Sequence, residues 1–229
     1  IENGQTRGFI NLDLDVEATE YLIQKKIPMV MLNEDLTHRG IASVKADEGH
    51  GYGEAWKYVN DLGHHHAGFV GVEGEAESFP VRYRRCAAAL ALLGLPHKLE
   101  APILNPRETD DRVIWRMLEE KFGPFGKGGS WPTLLFAQND AIAMRLIRVL
   151  TERGVHVPRD ISVIGNNGSA IAQHCHPTLA TLGKPRFEMA LAASRLLIDL
   201  LARRPGSENR LQVFPVKFLQ RESCAAPPS

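Results

Sequence analysis

Hydrogen-bonding side chains collect where apolar runs stop. Asn139 and Asp140 follow the run 133–138, and Asn166 and Asn167 follow 161–165; nearer the start, Asn11 and Asp13, Asn33, and Asp47 close three earlier runs. Donors and acceptors alternating in this way suit a ligand rich in hydroxyl groups. Asx side chains also satisfy turn backbone after strands, and for any single residue that is the stronger explanation. For several strands ending alike, a polar ligand site and turn chemistry stand about even.

Catalysis has no comparable support. The run GHGYG at 49–53 follows an extended segment and opens a helix, as a dinucleotide-binding turn would, but its spacing is GxGxG rather than GxGxxG and it reads as a loose helix start. His64, His65 and His66 follow Gly63 at a helix end and lack carboxylate or Cys partners nearby in sequence, so a solvated cap is expected rather than a metal site. His174 and His176 lie in a loop before Pro177 and could equally be surface residues. With no GxSxG, HExxH or local Cys-His signature, no enzyme, no cofactor and no metal are expected.

These residues need elements to hold them. Residues 131–168 read as strand, helix, strand: Ile142, Leu146, Val149 and Leu150 recur at helical spacing, Gly154 ends the helix and Pro158 prevents its return. Runs 8–13 and 28–34 flank a helix with Asp15 as its expected N-cap, giving a β-α-β unit. Helices are expected over about 82–93, ending at Gly94, and along the stripe Met189, Ala193, Leu196, Leu197 and Leu200; 213–219 reads as one last strand, and 224–229 as a loose tail. Alternating strand and helix predicts an α/β fold of parallel sheets covered by helices. In such sheets ligands lie at the carboxyl edge.

Composition limits the function further. At 229 residues and 44% hydrophobic, the chain can bury one large or two small cores. Lys+Arg and Asp+Glu both number 27, which gives no general attraction to nucleic acid or to an anionic membrane. Three well-separated cysteines fit a reducing compartment, and neither a membrane span nor a signal peptide is legible.

The stretch FAQNDAIAMRLIRVLTERGVHVPRDISVIGNNG resembles the lactose-repressor (LacI/GalR) family pattern, in which a strand ends in AND, a helix follows, and VPxDISVVGFDD completes the unit. ADEGHGYGEAWKYVNDLGHHHAGFVG is similar to that family's VDN…G…LGHRRIAFIG segment, RYRRCAAALALLGL to RLEGYREALAEAGL, LATLGKP to LTTVRQP, and FPVKFLQRES to LPPELVVRES. The resemblance runs from about Gly8 to Ser223. It implies two doubly wound parallel-sheet subdomains of the periplasmic-binding-protein-like type I fold, joined by three crossing segments, with a small effector in the cleft between them. One subdomain would hold 1–46 plus 184–205, the other 47–183 plus 206–223.

By the same resemblance Arg82 matches the effector-binding arginine, Asn139 the AND asparagine, Asn167 the first FDD aspartate, Asp47 the VDN aspartate, and Asn33 the polar residue closing the strand before it. Ser78, Asn11 and Asp13 fall on cleft-facing loops, and Lys184 stands nearby. The chain starts at what looks like the family's third core strand, so the N-terminal helix-turn-helix has no counterpart here. The implied function is the effector-binding and dimerisation core of a cytoplasmic transcriptional regulator: a homodimer that takes a carbohydrate effector and reaches operator DNA only through that N-terminal segment, with no membrane partner. A periplasmic sugar-binding protein of a transporter is the alternative. Because Asn33 and Asn167 are neutral where the family often has Asp, while Arg82 and Lys184 remain positive, an anionic effector is a further expectation.

Overall fold

The structure, a computed structural model, describes residues 6–12, 16–72, 79–101, 103–104, 111–126, 128–207 and 210–228. The first half of the chain forms β1 (Phe9–Asn11), α1 (Val16–Gln24), β2 (Met29–Leu32), β3 (Ala42–Asp47), α2 (Glu48–Asp61), β4 (His66–Val72) and α3 (Phe79–Leu93). There follow β5 (Lys98–Glu100), β6 (Ile103–Leu104), α4 (Asp111–Phe122), β7 (Leu134–Ala137), α5 (Asp140–Glu152) and β8 (Ser162–Asn167). The chain closes with β9 (Ala180–Gly183), α6 (Arg186–Leu201), β10 (Leu211–Pro215) and β11 (Lys217–Leu219). The fold is α/β, and the chain divides into two compact units, Ile1–Asp47 with Pro185–Pro215, and Glu48–Lys184 with Val216–Ser229.

The first unit carries a four-stranded parallel sheet in the order β1-β2-β3-β10. Side chains alternate across a strand, and β2 shows what that does. Val30 and Leu32 pack with Met189, Ala192, Ala193 and Leu196 of α6, whereas Met29 and Met31 pack with Leu22 of α1 and with Ile41. One apolar run thus supplies two cores, which is why it shows no polar alternation.

The second unit is built on a seven-stranded sheet, β11-β9-β8-β7-β4-β5 with β6 also paired to β4. All its pairings are parallel except β11 against β9. The α5 stripe of Ile142, Leu146, Ile147 and Leu150 joins Leu135, Val163, Trp115 and Leu118 in one core. Each fully buried Leu there contributes about 1.5–3 kcal/mol of transfer free energy. Tyr52 and Trp56 of α2 belong to an aromatic cluster with Phe69 and Phe136, and the Trp56 indole N–H donates to the Cys86 carbonyl at 3.0 Å.

Four sequence expectations change. Residues 213–219 are two strands, not one: β10 pairs in parallel with β3 and belongs to the first unit, so 206–215 does not join the second, and only β11 pairs with β9. Lys184 falls in the second unit and Asp47 in the first, each one residue across the expected boundary. The tail is not loose where it follows Ser223: Cys224 is buried, and Ala225 is hydrogen-bonded to Ser162 through both its N–H and its carbonyl. GHGYG is continuous helix inside α2, and Gly51 is required there by close approach, since a Cβ would come within 2.7 Å of the Val216 side chain.

Candidate functional site

The carboxyl edge of the seven-stranded sheet is a hydrogen-bonded polar surface assembled from several elements. Arg82, in the first turn of α3, is buried at 3% exposure and reaches two strand ends. Its Nη1 donates to the Gln138 carbonyl just beyond β7 at 2.5 Å, and its Nη2 donates to Asn167 Oδ1 at the end of β8 at 3.1 Å. Asn167 has φ of 105°, a region Asn tolerates better than most side chains. Gln138 fixes the next strand as well, because its Oε1 accepts from the Val72 N–H at 2.6 Å. One guanidinium and one amide therefore tie together the ends of β4, β7 and β8.

Asn139 and Asp140 start α5 and divide the work. Asn139 is the N-cap, with Oδ1 accepting from the Ile142 N–H at 2.9 Å. Asp140 is buried and inward-directed: one carboxylate oxygen accepts from Thr181 Oγ1 at 2.5 Å and the other from the Ser169 N–H at 2.6 Å. It holds the loop after β8 and the strand β9 in place, a structural duty.

Beneath Arg82 lies Glu48, the first residue of α2 and 2% exposed. Its carboxylate stands 2.9 Å from Lys184 Nζ, 2.5 Å from Arg85 Nη1 and 3.8 Å from Arg82 Nε. Burial pushes the Glu48 carboxyl up, but Lys184, Arg82 and Arg85 together outweigh it and hold the group below its ordinary range. For Lys184 burial wins, and its ammonium falls below the usual lysine value despite Glu48. Three cationic side chains thus share one buried carboxylate.

Of the residues expected to read a ligand, Arg82 and Asn167 meet directly, Lys184 joins them through Glu48, and Asn139 adjoins Gln138. Asn11, Asn33 and Asp47 lie in the other unit, at the carboxyl ends of its adjacent strands. Asn11 is buried, with Nδ2 donating to Thr19 Oγ1 at 3.3 Å and to the Met29 sulfur at 3.8 Å. Asn33 follows β2 with φ of 72°, its N–H donating to the Val44 carbonyl, and Asp47 ends β3 exposed. Asp13, Ser78 and the expected cap Asp15 lie outside the described residues. Glu48, Arg85 and Gln138 escaped sequence reasoning. The available signal was modest: an acidic residue opening a helix straight after a strand, and Arg82 and Arg85 one turn apart in RYRRC.

Glu48 stands beside Arg82 as one carboxylate facing three cationic side chains. The histidines are corrected. His64 is no solvated cap: it is 1% exposed, with Nδ1 2.8 Å from Thr133 Oγ1 and Nε2 2.8 Å from the Ala225 carbonyl, while His66 pairs with Glu100 at 3.0 Å. Among the described residues no group of three or more His, Cys, Asp and Glu could hold a metal ion, and no helix is long and apolar enough to cross a membrane.

Residues 57–224 match the periplasmic binding protein-like domain. The chain belongs to that family. Within the periplasmic binding protein-like domains, its relatives are LacI-type regulators. It is 26% identical over 214 residues to the probable HTH-type transcriptional repressor ExuR of Bacillus subtilis, covering 92% of this chain and 61% of the relative. With the HTH-type repressor CytR of Escherichia coli it shares 25% over 194 residues, covering 80% of this chain and 52% of CytR. The chain thus spans between half and two thirds of those relatives' length. A LacI family regulator from Enterococcus faecium, with bound ribose, superposes at a TM-score of 0.75 with 25% identity, covering 96% of this chain and 80% of that one. A LacI regulator from a Rhodococcus species gives 0.81 at 20% identity, covering 100% and 81%, and that likeness speaks to fold alone. Repressors as relatives favour regulation over the transporter alternative.

Proposed function

We propose that this chain is the effector-binding core of a cytoplasmic LacI-type transcriptional regulator, and that the effector is a small neutral sugar or close derivative read by Arg82, Asn167 and the Nδ2 amide of Asn139. The observation that carries the reading is the Arg82 guanidinium, held by the Gln138 carbonyl and Asn167 at the carboxyl edge of β7 and β8. A guanidinium among amides offers directional hydrogen bonds to hydroxyls. The strand-end residues of the other unit, Asn11, Asn33 and Asp47, are proposed as further ligand-reading positions, with Asp13, Ser78 and Lys184 completing the set. The E. faecium relative's ribose supports a sugar as the ligand class.

Regulation would follow from unequal binding. An effector that favours one arrangement of a homodimer shifts that equilibrium, and an N-terminal helix-turn-helix, like that implied by the relatives' names, would pass the shift to operator DNA. An effector with equal affinity for both arrangements would change nothing.

Thermal shift and calorimetry on the full-length protein with ribose, lactose and glucuronate test the reading. A neutral sugar is expected to raise the melting temperature by mass action, and Arg82→Ala to abolish that rise. Binding of glucuronate alone, or neutral-sugar affinity that survives Arg82→Ala, would refute it.

A further inference from the structure

The chain passes between its two units at three places: after Asp47, after Lys184 and after Pro215. Backbone ladders join two pairs of these connections. Asp47 is the partner of Pro215 where β3 pairs with β10, and Gly183 is the partner of Lys217 where β9 pairs with β11. The first and second connections share no ladder, because β3 and β9 belong to different sheets. Side chains join them instead. Glu48 is the first residue after the first connection, Lys184 is the last before the second, and their charged groups lie 2.9 Å apart with only 1% and 8% of the side chains exposed.

The third connection reaches the same helix. Val216 packs so closely on Gly51 that a Cβ there would collide with it, and the Phe218 N–H donates to the Glu54 carboxylate at 2.8 Å. The first two turns of α2 therefore gather the second-unit ends of all three connections.

A second observation is independent of the geometry. In the motif VDN, which ADE resembles, the third residue is Asn; in RQP, which GKP resembles, the middle residue is Gln. This chain places Glu48 at the first of these positions and Lys184 at the second, and the fold brings the two into contact. Either charge alone would be costly at such burial, whereas the pair compensates itself.

We propose that Glu48 is a positioning residue that fastens the second connection to the first through Lys184 and holds Arg82 and Arg85 against the same helical turn. Ligand contact at Arg82 and the setting of the connections are thereby mechanically joined. The assignment of Arg82 to the effector rests on the function proposed above; the fastening does not.

Hydrogen–deuterium exchange on the ligand-free full-length protein tests the fastening. Wild type is compared with Glu48→Gln, Lys184→Gln and the double variant Glu48→Gln/Lys184→Gln. Glu48→Gln should speed exchange about tenfold in peptides covering 181–187 and 216–219 while leaving β1 and β2 unchanged. The double variant should exchange more slowly there than Glu48→Gln alone, because it no longer buries an ammonium without its carboxylate. Unchanged exchange in the single variants, acceleration spread evenly over β1 and β2, or a double variant as fast as the two single effects combined would overturn the proposal. If Glu48→Gln does not fold, Lys184→Gln against wild type carries the test, with faster exchange expected in the same peptides. Since no ligand takes part, a failure of the sugar reading in calorimetry leaves this outcome untouched.

Discussion

The two sheets end differently at their carboxyl edges. In the seven-stranded sheet, Arg82, Gln138, Asp140, Asn167 and Thr181 bond to one another or to strand ends across several elements, over an ion cluster centred on Glu48. In the four-stranded sheet Asn11 donates to Thr19 and to the Met29 sulfur within one β-α-β unit, and the Asn33 N–H donates to the Val44 carbonyl. A polar strand end can thus be a strut in a network or a local fitting. The distinction matters for mutation: removing a strut strands partners on several elements, whereas removing a local fitting acts on its neighbours in sequence.

That contrast can be broken most sharply at Asp140. Asp140→Ala leaves the buried Thr181 hydroxyl and the Ser169 N–H without their acceptor and should cost about 3 kcal/mol in urea denaturation, against about 1 kcal/mol for Asn11→Ala. Equal losses would erase the comparison. Asn139 sharpens it next. Asn139→Ala should cost about 1 kcal/mol through the lost cap, whereas Asn139→Asp should keep the cap and lose the donor amide, separating stability from sugar affinity in calorimetry.

A smaller effect concerns the opposite, amino edge of the seven-stranded sheet. Burial, partly offset by the Ala225 carbonyl, lowers the pKa of His64 below its ordinary 6.5. As pH falls through 6.5 the unfolded chain takes up a proton that the native state resists, so this contribution to stability is present above 6.5 and lost on acidification towards the lowered native value. Urea midpoints measured from about pH 8 to pH 5 should fall, and His64→Gln should flatten the slope. The smallest effect is expected at Asn33. With φ of 72°, Asn33→Gly should relieve left-handed strain but free the unfolded chain, leaving stability within about 1 kcal/mol of wild type by thermal melt.

What the sequence made legible follows from the range of each interaction. The β7–α5–β8 unit was readable because its determinants are local: a buried apolar run, an Asn cap three residues before the N–H it satisfies, and a Gly with positive φ closing the helix. Arg82 and Asn167 were found through a resemblance to family motifs, not through any spacing that would pair them. Glu48 was missed because its partners come from α3 and from the end of β9, and no periodicity links those positions. The division of 213–219 into two strands was hidden for a related reason. Apolar residues continue through Pro215 and Val216, so nothing local marks where the chain leaves one sheet for the other.

Ala225 has a practical consequence. Its backbone is clamped between His64 and Ser162 at the starts of β4 and β8, so the tail forms part of the floor of the sheet. A purification tag or fluorescent reporter spliced in directly behind Cys224 would tug on that floor and report its own disturbance. Biosensors made from this scaffold should carry their reporters elsewhere, on an exposed helical face such as that around Leu92.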